Sequence, residues 1–299
     1  MLQFTAKMPG IVLVSPQPLA GKTTIAVGLA LTIAREGKKV AIRRILGDEH
    51  AESDAALFRG LKGVSQDDSS AEITLIEVPA GENASSLTQT SDGRTLVIAD
   101  ASAPMESLGD YCGQITDRLL GVLINKAPLR RADALLADAR AAGINVLAAL
   151  PEDRLLAAPV LRDVVQALSA QAEHFNGRGL QPLDRPVIAT ISADPGQSYF
   201  AHYDASAVIV RSDKPDLQLA ALNAGAECLI VTGGLPILSY VLERAEEDEI
   251  PLLRTGLDTI AAVQRIEATF GSLPFAGGSA KTKRIGELLS YLDLAALFG

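Results

Sequence analysis

The chain is poor in aromatic residues: its 299 residues include seven Phe, five Tyr and no Trp. A core must therefore be built from Ala, Val, Ile and Leu, which suits parallel sheets covered by helices. Cysteine is scarcer still, with only Cys112 and Cys228, far apart in sequence. That excludes a disulfide framework and a paired-cysteine metal or redox motif. Both read as small core residues of a reducing compartment. The three histidines, His50, His174 and His202, share no ligand spacing, and no metal site is assigned to them. No Gly-x-Ser-x-Gly elbow is present, and nothing suggests a covalent nucleophile. No apolar run reaches the roughly 18 residues that a membrane span needs. The N-terminus lacks the pattern of a secretion signal, so a cytoplasmic protein without membrane contact is expected. A net charge of −9 and the lack of a basic stripe interleaved with aromatics argue against DNA or RNA as a partner.

What the chain does have is apolar content of 48 %, ample for a buried core, at a length that suits one large or two ordinary domains. Strand-like runs alternate with helical patterns almost throughout. Strands are expected at Ile11–Val14, Lys39–Ile45, Ile73–Val78, Arg94–Ala99, Leu119–Ile124 and Asn145–Leu150. Helices are expected at Thr23–Glu36, around Ala51–Leu61 and at Leu129–Ala142. This is the grammar of an open α/β parallel sheet with helices on both faces. The turn-rich stretch 173–185 reads as a linker between a domain of residues 1–172 and a smaller α/β domain of residues 186–299. In the latter, strands are expected at Pro186–Ile191, Ala207–Val210, Cys228–Val231 and Pro251–Arg254. Helices are expected at Lys214–Ala224, Leu238–Glu249, Asp258–Phe270 and Glu287–Phe298. The basic residues Lys281, Lys283 and Arg284 read as a solvated linker.

The first strand runs into Ser15-Pro16-Gln17-Pro18-Leu19-Ala20-Gly21-Lys22-Thr23-Thr24, and a helical pattern follows. That is the layout of a phosphate-binding P-loop, in which backbone N–H groups and a helix N-terminus surround phosphates. Ser15, Leu19, Ala20, Gly21, Lys22, Thr23 and Thr24 are the loop residues expected to meet a nucleotide. Lys22 would place a point charge on the β/γ-phosphates and the Thr23 hydroxyl would ligate Mg2+. The usual spacing puts glycine at Pro16, or one step earlier at Ser15. Neither is glycine, so a variant loop shape is expected.

In an open parallel sheet, ligands bind beyond the carboxyl ends of the strands. The second strand ends at Arg43-Arg44, with Asp48, Glu49, Glu52 and Asp54 beyond it. The third ends at Glu77, before Pro79-Ala80-Gly81-Glu82-Asn83. Glu77 can hold Mg2+ directly or through water, with Asp54 as a further candidate ligand. The alternatives are a solvated strand-end carboxylate for Glu77 and an exposed acidic helix face for Asp54. Asn125, after the strand Gly121–Ile124, can read an adenine edge with its amide, or simply cap the next element. Gly233-Gly234, between a strand and a helix, can bind an anion or form a plain turn.

Taken in order, the P-loop ending Gly21-Lys22-Thr23-Thr24, Glu77-Val78-Pro79-Ala80-Gly81, Gly121-Val122-Leu123-Ile124-Asn125-Lys126 and Leu150-Pro151-Glu152-Asp153 resemble dethiobiotin synthetase and related P-loop amide-forming ATPases. That resemblance implies ATP and Mg2+ as cofactors, with Thr23 and Glu77 at the metal and Asn125 facing the base. It departs where the family has Lys-Pro, here Arg44-Ile45. The second half resembles the DRTGG domain, through Ser212-Asp213-Lys214, Thr232-Gly233-Gly234 and Asp258-Thr259. The pair resembles the N-terminal region of bacterial phosphotransacetylases without their catalytic domain. It implies an ATP–Mg2+-binding regulatory or sensory protein, with slow hydrolysis at most, acting on a metabolic enzyme partner. The alternative is an ATP-dependent carboxylate-activating ligase. A homodimer is the default assembly.

Overall fold

The computed structural model describes residues 10–65, 70–81, 93–115, 118–175, 177–190, 199–200 and 202–292. The chain packs as two compact units, Met1–Asp153 with Thr282–Gly299, and Arg154–Lys281.

The first unit is a six-stranded sheet. Its strands are β1 (Gly10–Val14), β2 (Val40–Arg44), β3 (Ile73–Glu77), β4 (Arg94–Asp100), β5 (Leu119–Ala127) and β6 (Val146–Pro151). They lie in the order β2-β3-β1-β4-β5-β6, and every pairing is parallel. Helices α1 (Lys22–Arg35), α2 (Ala51–Arg59), α3 (Met105–Gly113) and α4 (Ala132–Ala141) connect them. Because β1 sits between β3 and β4, the strand order reverses beside it, and in such a sheet the carboxyl ends of β1 and β3 are where a ligand is received. All five residues of β1 and of β3 are buried. One face of the sheet, with Val12, Val14, Val97, Val122 and Ile124, packs on Leu108 of α3 and Ala139 of α4.

The second unit starts with a short helix, α5 (Arg154–Ala157), then α6 (Leu161–Leu168) and β7 (Gln171–His174). Strands β8 (Pro186–Ile188), β9 (Ala207–Arg211), β10 (Leu229–Thr232) and β11 (Leu252–Arg254) follow, with helices α7 (Pro215–Asn223), α8 (Ser239–Glu247) and α9 (Thr259–Glu267). The sheet order is β7-β11-β10-β9-β8, parallel except for β7 against β11. Successive residues face opposite sides. Val208 and Val210 pack under α7 and α8 through Leu217, Ala221, Val241 and Ala245, while Ile209 packs under α6 and α9 through Leu161, Val164, Ala262 and Ile266.

The packing division thus falls before the turn-rich stretch 173–185. The reason is physical: α6 buries Leu161, Val164 and Leu168 in the second unit's core, and β7 supplies an edge strand. The basic tail also differs from expectation. It lies largely within helix α10 (Ser279–Leu289). Lys281 is 3 % exposed, its ammonium donating to the carbonyls of Leu156 and Ala158. Arg284 pairs with Asp153 at 2.7 Å. The C-terminal helix expected at Glu287–Phe298 begins earlier, at Ser279, and residues 293–299 lie outside the described residues. Later in α10, Ile285 and Leu289 press on Gly28 of α1, where an added Cβ would lie within 2.6 Å of both.

Candidate functional site

The loop after β1 closes on itself before α1 begins. Leu19 has φ 54° and Gly21 has φ 93°, both left-handed. Gly21 is required there twice over: its φ suits glycine, and a Cβ would lie 2.2 Å from the Asn125 amide nitrogen. That amide donates to the Ala20 carbonyl at 2.9 Å. Lys126, itself at φ 58°, donates to the Leu19 carbonyl at 2.8 Å and pairs with Asp100 at 3.2 Å. The end of β5 therefore braces the loop from the side. Asn125, expected to face a base or cap the next element, has its amide N–H group on the loop backbone.

Lys22 opens α1 and is 7 % exposed. Its ammonium donates to Ser15 Oγ at 2.7 Å, and the Ser15 hydroxyl donates to the Gln17 carbonyl at 2.6 Å. Ser15, one step before Pro16 where the usual loop has glycine, thus holds the lysine against the loop. Burial lowers the Lys22 pKa, with the Glu77 charge opposing. The turn Pro79–Gly81 adjoins the loop, since Gly81 N–H donates to the Ser15 carbonyl at 3.0 Å.

Beneath Lys22 lies a buried charged cluster. Glu77 is in register with Arg44 on β2 and Leu13 on β1. Thr23 Oγ1 donates to Glu77 Oε1 at 2.8 Å and lies 3.5 Å from Asp54 Oδ2. Arg44 Nε lies 3.3 Å from that same Asp54 oxygen and 3.9 Å from that same Glu77 oxygen. The other guanidinium nitrogens reach Asp48 and, at 2.7 Å, the Ile45 carbonyl. The Arg44 and Glu77 side chains are each 3 % exposed and that of Asp54 6 %. Asp54 is therefore no part of an exposed acidic face, and Glu77 is no solvated strand end. Burial raises both carboxyl pKa values, that of Glu77 to about 7, with the Asp54 charge adding to it.

Glu77 Oε2 is buried without a hydrogen-bond partner. Two carboxylates, one of them with an orphaned oxygen, and a threonine hydroxyl are donors of the kind a hard divalent cation takes alongside phosphate oxygens and water. The residues fit such an ion: Thr23, Glu77 and Asp54 would hold it. Among the described residues no group of three or more His, Cys, Asp or Glu side chains could hold a metal by itself.

The glycine pair of the second unit is differently occupied. Gly233 N–H donates to the Leu257 carbonyl at 2.7 Å and Gly234 N–H to that of Thr255 at 3.1 Å. Both donors are consumed by the β11–α9 loop, so the pair makes a turn and has no amide to offer an anion. Asp258 caps α9 by accepting from Ala261 N–H at 2.8 Å.

Sequence reasoning singles out Ser15, Lys22, Thr23, Asp54 and Glu77, and the fold brings all five together. It underrates Arg44 and passes over Asp100 and the bracing by Lys126. The signal is present in their position at strand ends, but not in their mutual distances.

A phosphate-binding loop between the first strand and helix of a parallel sheet, with a carboxylate at the end of the neighbouring strand, defines a P-loop nucleoside-triphosphatase-type domain. Residues 11–164 match the model of the CobQ/CobB/MinD/ParA nucleotide binding domain. The match covers more than half of the chain, and the protein belongs to that family. Residues 163–269 match the DRTGG domain. Among solved structures, a chain of the MinC:MinD cell division protein complex of Aquifex aeolicus is similar at 15 % identity, over 50 % of this chain and 83 % of that one, with a TM-score of 0.40. A plasmid partition protein of Borrelia burgdorferi bound to AMPPNP is similar at 12 % identity, over 49 % and 86 %, with a TM-score of 0.37. The CBS and DRTGG region of a Clostridium perfringens pyrophosphatase, complexed with diadenosine tetraphosphate, is similar at 17 % identity, over 57 % and 72 %, with a TM-score of 0.34. Among the described residues no helix is long and apolar enough to cross a membrane.

Proposed function

We propose that the protein binds ATP with Mg2+ in the loop of residues 15–24 and acts as a nucleotide-responsive regulator. The observation that carries this reading is the pairing of Lys22 on Ser15 with Thr23 on Glu77 beside the buried carboxylates. In this reading Ser15, Leu19, Ala20, Gly21, Lys22, Thr23 and Thr24 surround the phosphates, and Asn125 supports the loop next to the base. Thr23, Glu77 and Asp54 hold the cation.

Regulation is favoured over synthesis by where the remaining charges are spent. Arg44 is committed to Asp48, Asp54 and Glu77, and Lys126 to the loop backbone and Asp100. Lys126 is therefore not disposed to hold a second substrate for phosphoryl transfer, which a dethiobiotin synthetase-like enzyme needs. The DRTGG unit would carry the response to a second copy of the chain or to a metabolic enzyme. Nucleotide shifts such an arrangement only by binding one state better than another.

The test is thermal unfolding of the wild type and Lys22→Ala with and without Mg2+–ATP or Mg2+–ADP. Ligand at 100 times its Kd adds about 2.7 kcal/mol to the wild type, and the variant loses the gain. A wild type that shifts with neither nucleotide overturns the reading. Phosphate release stimulated by a dicarboxylate or diamino acid would move the assignment to the ligase class.

A further inference from the structure

The same two carboxylate oxygens that face the Thr23 hydroxyl also face Arg44. Asp54 Oδ2 lies 3.5 Å from Thr23 Oγ1 and 3.3 Å from Arg44 Nε. Glu77 Oε1 lies 2.8 Å from Thr23 Oγ1 and 3.9 Å from Arg44 Nε. A divalent cation bound to Thr23 sits about 2.1 Å from its oxygen ligands, and therefore only a few ångströms from a buried guanidinium. Like charges at that distance, with little water between them, repel strongly.

We propose that Arg44 is the built-in counter-ion of this pocket and excludes a divalent cation until a polyphosphate arrives. Lys22, also positive and buried, adds to the positive charge around these carboxylates, with its ammonium on Ser15. The incoming phosphates supply the negative charge that draws Arg44 off Asp54 and Glu77 and onto themselves. The metal then settles on the oxygens Arg44 has left. Asp48 is the pivot: it holds the guanidinium from the outer side, is 31 % exposed, and lies outside the proposed ligand set. Arg44 is thus a positioning residue that makes metal binding conditional on nucleotide. This rests on the nucleotide reading above only for its second half; the exclusion of free metal stands or falls separately.

Mn2+ alone, followed by electron paramagnetic resonance on the full chain, tests the exclusion. Without nucleotide, Arg44→Gln binds Mn2+ at least about tenfold more tightly than the wild type, and adding Glu77→Gln removes the gain. Equal Mn2+ affinity in Arg44→Gln and wild type overturns the proposal, whether both bind or neither does. A wild-type measurement covers the case of a variant that does not fold. The Arg44 Nε–H resonance, assigned by its loss in Arg44→Lys, is protected from exchange in the free protein and with nucleotide-free Mg2+. It loses that protection when Mg2+–AMPPNP binds. Protection that persists in a protein shown by calorimetry to hold Mg2+–AMPPNP overturns the exchange. Absence of any AMPPNP binding overturns the nucleotide reading instead and leaves the Mn2+ result to decide this one.

Discussion

Replacing Glu77 with glutamine will flatten the dependence of stability on pH. The Glu77 side chain is 3 % exposed, and burial with the Asp54 charge beside it raises its pKa from 4.5 to about 7. A carboxyl whose folded pKa lies above its unfolded value binds more protons folded than unfolded in the interval between them. Stability from this group is therefore fully present below pH 4.5 and is lost as pH rises through 7. Every pH unit that separates the folded from the unfolded value is worth about 1.4 kcal/mol. The whole loss is thus about 3 kcal/mol, and the part falling between about pH 5.5 and 8.5 is about 2 kcal/mol. Glutamine imitates the protonated side chain at every pH and still accepts from Thr23. Urea unfolding of wild type and Glu77→Gln, in chelator and across that range, reads the difference directly. The variant gains on the wild type by about 2 kcal/mol from the acid to the alkaline end. Parallel profiles would refute the reasoning, since they would mean that Glu77 is ionised in the folded protein throughout.

Other outcomes follow from particular contacts. Gly21→Ala forces a Cβ to within 2.2 Å of the Asn125 amide at a left-handed φ and costs about 1–3 kcal/mol. In a double-mutant cycle, Asn125→Ala relieves the clash but not the backbone strain. Asp258→Ala removes the side-chain cap of α9 and costs about 1 kcal/mol in urea unfolding, with nucleotide binding unchanged.

Much of the fold can be read from residue patterns. Ile11–Val14 and Leu229–Val231 are short continuous apolar runs beside turn residues, and such runs become strands buried on both faces. Helix α3 and strand β7 are not legible. Met105–Gly113 buries only Leu108 and Cys112, too little for a helical stripe, and Gln-Ala-Glu-His of β7 has no strand pattern at all. β7 exists because β11 offers an edge to pair with. At the site, single residues are legible and their grouping is not. Arg44, Asp48, Asp54 and Glu77 come from one strand end, a loop, a helix and another strand end. Only the parallel register of β2 with β3 brings Arg44 to Glu77. Lys281 misleads because charge reads as exposure, whereas here an ammonium satisfies carbonyls at the end of α5.

The first unit is built from two stretches of chain separated by the whole of the second. That arrangement governs the order of events at the ribosome. When residues up to Asp153 have emerged, the sheet and the loop of residues 15–24 are complete in sequence. The surface of α1 around Gly28 still lacks Ile285 and Leu289, and Asp153 still lacks Arg284. These partners are separated by more than a hundred positions, so the first unit stays unfinished while the second is synthesised. A nascent chain truncated before Ser279 therefore lacks the cover of Ile285 and Leu289 over Gly28 of α1, and release from the ribosome at that length would leave that surface open to self-association.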